Sequence, residues 1–565
     1  MNALAGIQSP VSRSLRPMNG SRRAVLASQA LTRKPDPDQA WREQGALSPP
    51  SGEHTAPVRR PHVCRASGKQ AVETSRQISP EALDKEEAID WVIVSQLFLF
   101  PALCGLLFGY DIGGTSGALV SLQASATSGT EWGPSLTSLQ TGVEVSSSLA
   151  GALAGSVATF VLGDRIGRKA ELKLAAALYG SAALMMASAP SLPVLVAGHS
   201  LYGIGIGFAM HAAPAYIAET APPSVRGLLI SLKEGFIVGG ILLGYLAGSV
   251  FVETEGGWRY ILGCAAPIAL VAGLGLLTLP ESPRWSLLSQ TPSAVKDAEQ
   301  ALARMLGSKA TEERVAQEVM SIQQSLVKLG GKVQEDGLPV QKSAGEKLQG
   351  ILGNPAYTQP LLIGTSLMLF QQITGQPSVL YYAAKIFKDA GFSAASDAAN
   401  VSVLLGVFKL IMTGVATVKV DSWGRRPLLL AGVSGMVASL CILAGASLVD
   451  TGGTSAYASV GALLLYVGCY QLSFGPISWL IVGEVFPLSV RGQALSLATI
   501  TNFGANFVVS LVLPYAEESL GLGRLYLVFA VIGAVAVTFI YQNVPETRGK
   551  SLEEIEAIWG NSEQE

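Results

Sequence analysis

The chain is written in long apolar blocks separated by short polar ones. Trp91 to Gly114 is the first block, and about 20 such residues suffice to cross a hydrocarbon core. Further blocks lie near 141–162, 172–190, 193–218, 228–252 and 258–279. Six more lie near 356–384, 398–420, 427–449, 457–483, 493–516 and 523–543. Backbone amides in lipid must be satisfied within the segment itself, so each block predicts a helix. The expected fold is all-α and integral to a membrane, with twelve spans in two six-helix groups, residues 91–280 and 355–545. The divider, 281–354, is hydrophilic. Its stretches 294–306 and 312–329 repeat apolar residues at helical spacing, which predicts amphipathic helices on the membrane surface.

The polar connections repeat as well. Glu219 to Gly227 reads E-T-A-P-P-S-V-R-G, and Glu484 to Gly492 reads E-V-F-P-L-S-V-R-G. G-D-R-I-G-R-K from Gly163 is echoed by D-S-W-G-R-R from Asp421 at almost the same separation. Two motifs repeated in one order point to a duplicated unit, as expected of a transporter built from two halves. The acids and arginines of these loops, Asp164, Arg165, Arg168, Glu219 and Arg226 with Asp421, Arg425, Arg426, Glu484 and Arg491, are expected to form a salt-bridged latch at one membrane face.

Composition supports this reading. Charged residues make up 14% of the chain, against about 25% in soluble domains, and mean hydropathy is +0.39. A net charge of -2 argues against a nucleic-acid partner. Four of the five cysteines lie in apolar blocks and none has metal-ligand spacing, so small core residues without disulfides are expected. The loops carrying the arginine motifs are basic, whereas Ser116 to Gln140 holds no lysine or arginine. By the positive-inside rule both ends of the chain and the divider face the inner side. The first ~34 residues are acid-free and hold arginines among serine, alanine and leucine, the composition of an organelle import signal. Residues 1–66 are therefore expected to be a transit peptide, 67–90 a polar segment and 546–565 a short tail.

Gly163-Asp164-Arg165-Ile166-Gly167-Arg168-Lys169, Pro280-Glu281-Ser282-Pro283-Arg284, Gln371-Gln372-Ile373-Thr374-Gly375, Gly424-Arg425-Arg426 and Pro545-Glu546-Thr547-Arg548 follow one another in that order. Together they resemble the sugar-porter branch of the major facilitator superfamily, over about residues 90 to 555, and within it the plastid-targeted D-xylose–proton symporter-like group. The resemblance implies two bundles rocking about a central monosaccharide site, in a plastid envelope with the basic loops on the stromal side. A vacuolar or plasma membrane is the alternative location. The resemblance implies sugar contacts at Gln371, Gln372, Trp479 and Asn502, with Gln471, which stands where glucose facilitators place an acid, as a further candidate. Amides suit a sugar because they donate and accept without charge. Gly375 and Pro377 predict a broken seventh helix at the cavity, and Gly475-Pro476 a break in the tenth.

Departures from the family are as informative. Glu234 stands where relatives place a glutamine, Pro377 and Lys409 where they place asparagines, so no known sugar preference transfers. By helix rise Glu234 and Lys409 lie near the midplane, about 12 and 18 Å from the inner face, and an ion pair between them, direct or through water, is expected. Asp111, in Phe108-Gly109-Tyr110-Asp111, matches the family's proton-linked acid, and His199 stands in place of its arginine partner. The pair is expected to carry proton coupling, and His211 receives no role. Facilitated diffusion is the alternative, with a non-transporting sugar sensor behind it. No enzyme motif, cofactor, metal or obligatory protein partner is expected.

Overall fold

The computed structural model describes residues 90–289, 291–330, 344–353, 357–389, 394–448, 454–486, 490–550 and 554–555. The expected import signal and Cys64 lie outside the described residues.

The first six spans are α1 (Trp91–Gln123), α2 (Ser138–Ile166), α3 (Arg168–Ala187), α4 (Leu192–Thr220), α5 (Arg226–Phe251) and the pair α6 (Gly257–Gly263) and α7 (Ala265–Thr278), which cross as one. The divider folds into α8 (Pro283–Leu288), α9 (Ala294–Leu306), α10 (Glu312–Gly330) and α11 (Ala344–Leu352). α8, α9 and α10 bury a small apolar cluster of their own, including Leu287, Ala298, Leu302, Val315 and Leu326.

The second half holds α12 (Thr358–Ile373), α13 (Gln376–Tyr381), α14 (Ala383–Asp389), α15 (Ala395–Trp423), α16 (Arg425–Leu448), α17 (Thr454–Leu472), α18 (Phe474–Val485), α19 (Arg491–Leu520) and α20 (Leu522–Asn543). Among the described residues, eleven spans are long and apolar enough to cross a bilayer. The twelfth expected span is the seventh in order, and it is present in pieces. α12 stops at Ile373, Gly375 turns through φ +100, and α13 restarts with Pro377 in its first turn. A left-handed φ favours glycine, and a proline is tolerated at a helix start because its missing N–H has no partner there. The tenth span also breaks, but at Ser473 (φ -123, ψ -97), two positions before the expected glycine. Gly475 sits inside α18, pressed against the Gln471 side chain.

Glycine lets helices meet backbone to backbone. A Cβ at Gly109 or Gly113 of α1 would strike the carbonyl oxygens of Ile237 and Ile241 of α5, and one at Gly240 would strike the Leu106 carbonyl in return. α2 and α4 are joined in the same way: Gly203 lies on the Ser148 carbonyl and Gly151 on that of Ser200. Such small-residue seams replace the hydrophobic driving force that lipid cannot supply.

Between the halves, α5 packs on α15 and α2 on α19. Among the described residues, hydrogen bonds cross this divide at three places. Tyr245 donates to the Leu380 carbonyl (2.8 Å), Ser249 to Asn400 (2.5 Å), and the Ala384 amide to Ser116 (3.1 Å). All three lie toward the ends remote from the arginine motifs. That end, the outer one by the charge rule, is the end at which the halves are tied together.

Candidate functional site

The arginine-rich face comes first because its two halves match almost residue for residue. Arg168 Nε lies 3.7 Å from Glu219 and Arg425 donates to Glu484 at 3.1 Å. Ser282 donates to Glu219 as Thr547 donates to Glu484 (2.6 Å). Glu281 accepts from the Lys169 amide (2.9 Å) at the start of α3, and Glu546 from the Arg425 and Arg426 amides (3.0 and 3.1 Å) at the start of α16. A carboxylate there answers the free amides and the positive end of the helix dipole. Gly167 and Gly424 turn the chain before those helices with φ +93 and +91.

Arg226 and Arg491 each fold back on their own loop, donating to the Ala221 and Phe486 carbonyls (3.2 and 3.1 Å), while Arg426 donates to the Tyr541 carbonyl (2.6 Å). Arg165 is exposed, and the side chains of Asp164 and Asp421 lie outside the described residues. The ion pairs thus knit helices within each half. Replacing Arg425 by alanine should slow net uptake about tenfold, the equivalent of ~1.4 kcal/mol on a conformational barrier, with KM little changed. Uptake kinetics in vesicles would show the split, and a raised KM with unchanged maximal rate would argue against a role in cycling.

At the break of the seventh span the amides converge. Gln371 donates to the Phe474 carbonyl (2.6 Å) and accepts from Asn502 (2.5 Å) and Gln372 (3.3 Å). Gln371, Gln372 and Asn502 are buried, and the Gln372 carbonyl oxygen has no partner. Lys409 donates to Gln471 (2.8 Å) with its ammonium 5.1 Å from the Tyr470 ring centre. Trp479 is half-buried on α18.

Of the expected pairing between Glu234 and Lys409, the direct contact is replaced by two local ones. Glu234 pairs with its neighbour Lys233 at 2.9 Å, and its side chain is 41% exposed. Lys409 is satisfied inside its own half by Gln471, although Glu234 remains within electrostatic range of it. Adjacent helix residues do not face each other, yet the long lysine stem curls back far enough to reach.

Asp111 and His199 do meet. His199 Nε2 lies 4.0 Å from Asp111 Oδ1, both buried. A third ionisable group, not anticipated, completes the set: Glu144 of α2 lies 3.3 Å from His199 Nδ1 and is equally buried. His211 also has a partner, Glu171 on the first turn of α3, at 2.7 Å. The signal available for it was an acid four residues beyond Gly167, at a helix start that favours acids. Among the described residues no cluster could hold a metal ion, and the described cysteines, Cys104, Cys264, Cys441 and Cys469, are free.

Residues 97–559 match the family described as "Sugar (and other) transporter". The chain is 50% identical to "D-xylose-proton symporter-like 3, chloroplastic" of Arabidopsis thaliana, over 84% of either chain. It is 35% identical to the "D-xylose transporter" of Levilactobacillus brevis, over 82% of this chain and 94% of that one. Among solved structures it is similar to the xylose transporter XylE from E. coli in an inward open conformation (TM-score 0.67, 30% identity, covering 82% of this chain and 100% of that one). It is likewise similar to the proton:xylose symporter XylE bound to 6-bromo-6-deoxy-D-glucose (TM-score 0.64, 30% identity, covering 83% and 100%). With the paired arginine clusters, the broken seventh helix and a family match across nearly the whole described core, the chain belongs to the sugar transporter family and has the major facilitator fold.

Proposed function

We propose that this protein moves a monosaccharide, a hexose or pentose, across a plastid envelope by alternating access, coupled to protons. The observation that carries the reading is the amide cluster at the broken seventh helix. Gln371, Gln372 and Asn502 present donors and acceptors around an interrupted backbone, the chemistry that exchanges sugar hydroxyls for water without a charge penalty. Lys409, Gln471, Glu234 and Trp479 complete the site, the tryptophan offering an aromatic face to a pyranose ring.

Asp111 accepts the transported proton, and His199 sets its affinity. A buried acid without a fixed cation is costly when charged, so its protonation favours whichever conformation keeps it dry. Proton coupling is also what the names of the Arabidopsis relative and of XylE state for those proteins. The arginine clusters act as latches on the inner side. Plastid placement is supported by the acid-poor basic start of the chain and by the word "chloroplastic" in the name of that relative.

The test is reconstitution of the mature chain in liposomes, with radiolabelled D-xylose, D-glucose and other monosaccharides offered with and without an inward proton gradient. Saturable uptake that the gradient drives beyond equilibrium supports the proposal. Uptake that stops at equilibrium with either gradient would make the protein a facilitator. A fluorescent reporter fused to residues 1–75 should enter plastids, and reporter in mitochondria or the vacuolar membrane would overturn the placement.

A further inference from the structure

His199 faces a carboxylate at each of its two ring nitrogens: Glu144 at Nδ1 (3.3 Å) and Asp111 at Nε2 (4.0 Å). One carboxylate would suffice to orient the ring or balance an imidazolium. Two make a different device. We propose that Glu144 is a second proton-carrying carboxylate, which takes protons from the outer side and hands them through His199 to Asp111. The inference rests on the proton-coupled reading above.

Charge comes first. Fully deprotonated, the trio would hold two negative charges at a site where Asp111, Glu144 and His199 are 3%, 2% and 1% exposed. No lysine or arginine among the described residues pairs with either carboxylate. The trio becomes neutral when two protons are shared among its three groups, and buried charge is costly enough to hold them there. The surrounding hydroxyls offer no fixed cation: Tyr179, Tyr202 and Tyr381 lie around Asp111 with the Ser148 hydroxyl, and Tyr382 lies beside Glu144. An arginine at position 199 would supply a permanent charge and no acceptor atom. An imidazole can accept at one nitrogen while donating from the other.

Position and unsatisfied atoms come next. Glu144 is six residues inside the outer end of α2, about 9 Å along its axis, while Asp111 is twelve residues from the outer end of α1, about 18 Å. Water entering from the outer side therefore meets Glu144 first. Asp111 Oδ2, Glu144 Oε2 and both nitrogens of His199 lack an aligned hydrogen bond. Buried polar atoms are seldom left so, and here four adjoin one another.

The transfer balances. The Glu144 carboxyl gives its O–H proton to Nδ1 as the Nε2–H proton passes to the Asp111 carboxylate. One proton has then moved from Glu144 to Asp111, and the ring carries its hydrogen on Nδ1. Rotation of the ring returns that hydrogen to the Asp111 side, and Glu144 reloads from water when the outer side opens. The 4.0 Å gap must close to the ~3 Å of a hydrogen bond for the second transfer, so this step waits on a small movement.

Glu144→Gln keeps the shape and removes the transferable proton. In liposomes holding the full mature chain, with radiolabelled D-xylose and D-glucose, three quantities separate the possibilities: initial rate under a proton gradient, final accumulation ratio, and counterflow at equal pH. The expected result is an initial gradient-driven rate lowered at least about tenfold, with the final ratio still reached and counterflow, which moves no net proton, kept. An unchanged initial rate would overturn the relay. A matching loss of counterflow would make Glu144 a packing residue, and loss of accumulation itself would make it the coupling acid; either overturns the relay too. A wild type that ignores the gradient would remove proton coupling altogether and the relay with it. A wild type that responds, beside an unaffected variant, would remove the relay alone.

Discussion

Asp111→Asn protein in vesicles will equilibrate sugar across the membrane and will not concentrate it. The asparagine keeps the size of the side chain and cannot release a proton, so position 111 stays neutral throughout the cycle. Asp111 is buried, its Oδ2 has no hydrogen-bond partner, and the His199 imidazole lies 4.0 Å from its Oδ1. Loading sugar on one side and releasing it on the other then no longer requires a proton, and counterflow continues within a few-fold of wild type. The accumulation ratio under a proton gradient falls to unity. A variant that still concentrates sugar would move the coupling role elsewhere, with Glu144 the first place to look.

Replacing Gln371 by leucine should cost more than any other single change at the sugar site. Gln371 is the hub of the cluster, donating to the Phe474 carbonyl and accepting from both Asn502 and Gln372. Leucine leaves those groups without a partner at a buried position, at about 1–3 kcal/mol for each unsatisfied group. Two such groups, about 2–6 kcal/mol together, correspond to a fall of about 30- to 10⁴-fold in uptake kcat/KM, since each 1.4 kcal/mol is about tenfold. Gln372→Leu makes the useful comparison. Gln372 contributes one long hydrogen bond to the cluster and an unpartnered oxygen, so its loss should raise KM while folding and kcat persist. Transport near wild type in Gln371→Leu, at equal yield of folded protein, would show that the amides are packing groups.

The membrane spans were readable in the sequence because long apolar runs have few other fates, and the broken seventh helix because glycine and proline each leave a specific mark on the backbone. The tenth was misplaced by two residues because Ser473 carries no such mark. Asp111, His199 and the amides could be found because each is a polar residue deep in an apolar run. Glu144 could not: it stands in T-G-V-E-V-S-S-S, near a helix start, where an acid reads as the wet end of a span. Its burial is visible only once α4 is laid against α2. A direct Glu234–Lys409 contact is absent among the described residues for the converse reason. Depth along a helix says which residues share a level, but not which closer partner, here Lys233 or Gln471, arrives first.

The glycine seams have a mechanical consequence. α1 with α5, and α2 with α4, meet backbone to backbone at these glycines, which makes each pair a stiff plate. Glu144 and His199 ride on one plate at 3.3 Å from each other, while Asp111 rides on the other, 4.0 Å away. Tyr202 pins the plates together with a hydrogen bond from its hydroxyl to the Leu107 carbonyl (2.8 Å). Neither plate can bend to absorb a change in charge, so a proton gained or lost at the joint alters the width of the joint instead. α1 shares its plate with α5, and α5 carries Glu234. Any shift at that joint is therefore delivered to the wall of the proposed sugar cavity as a displacement of the whole plate, with no chain of intermediate side chains to carry it.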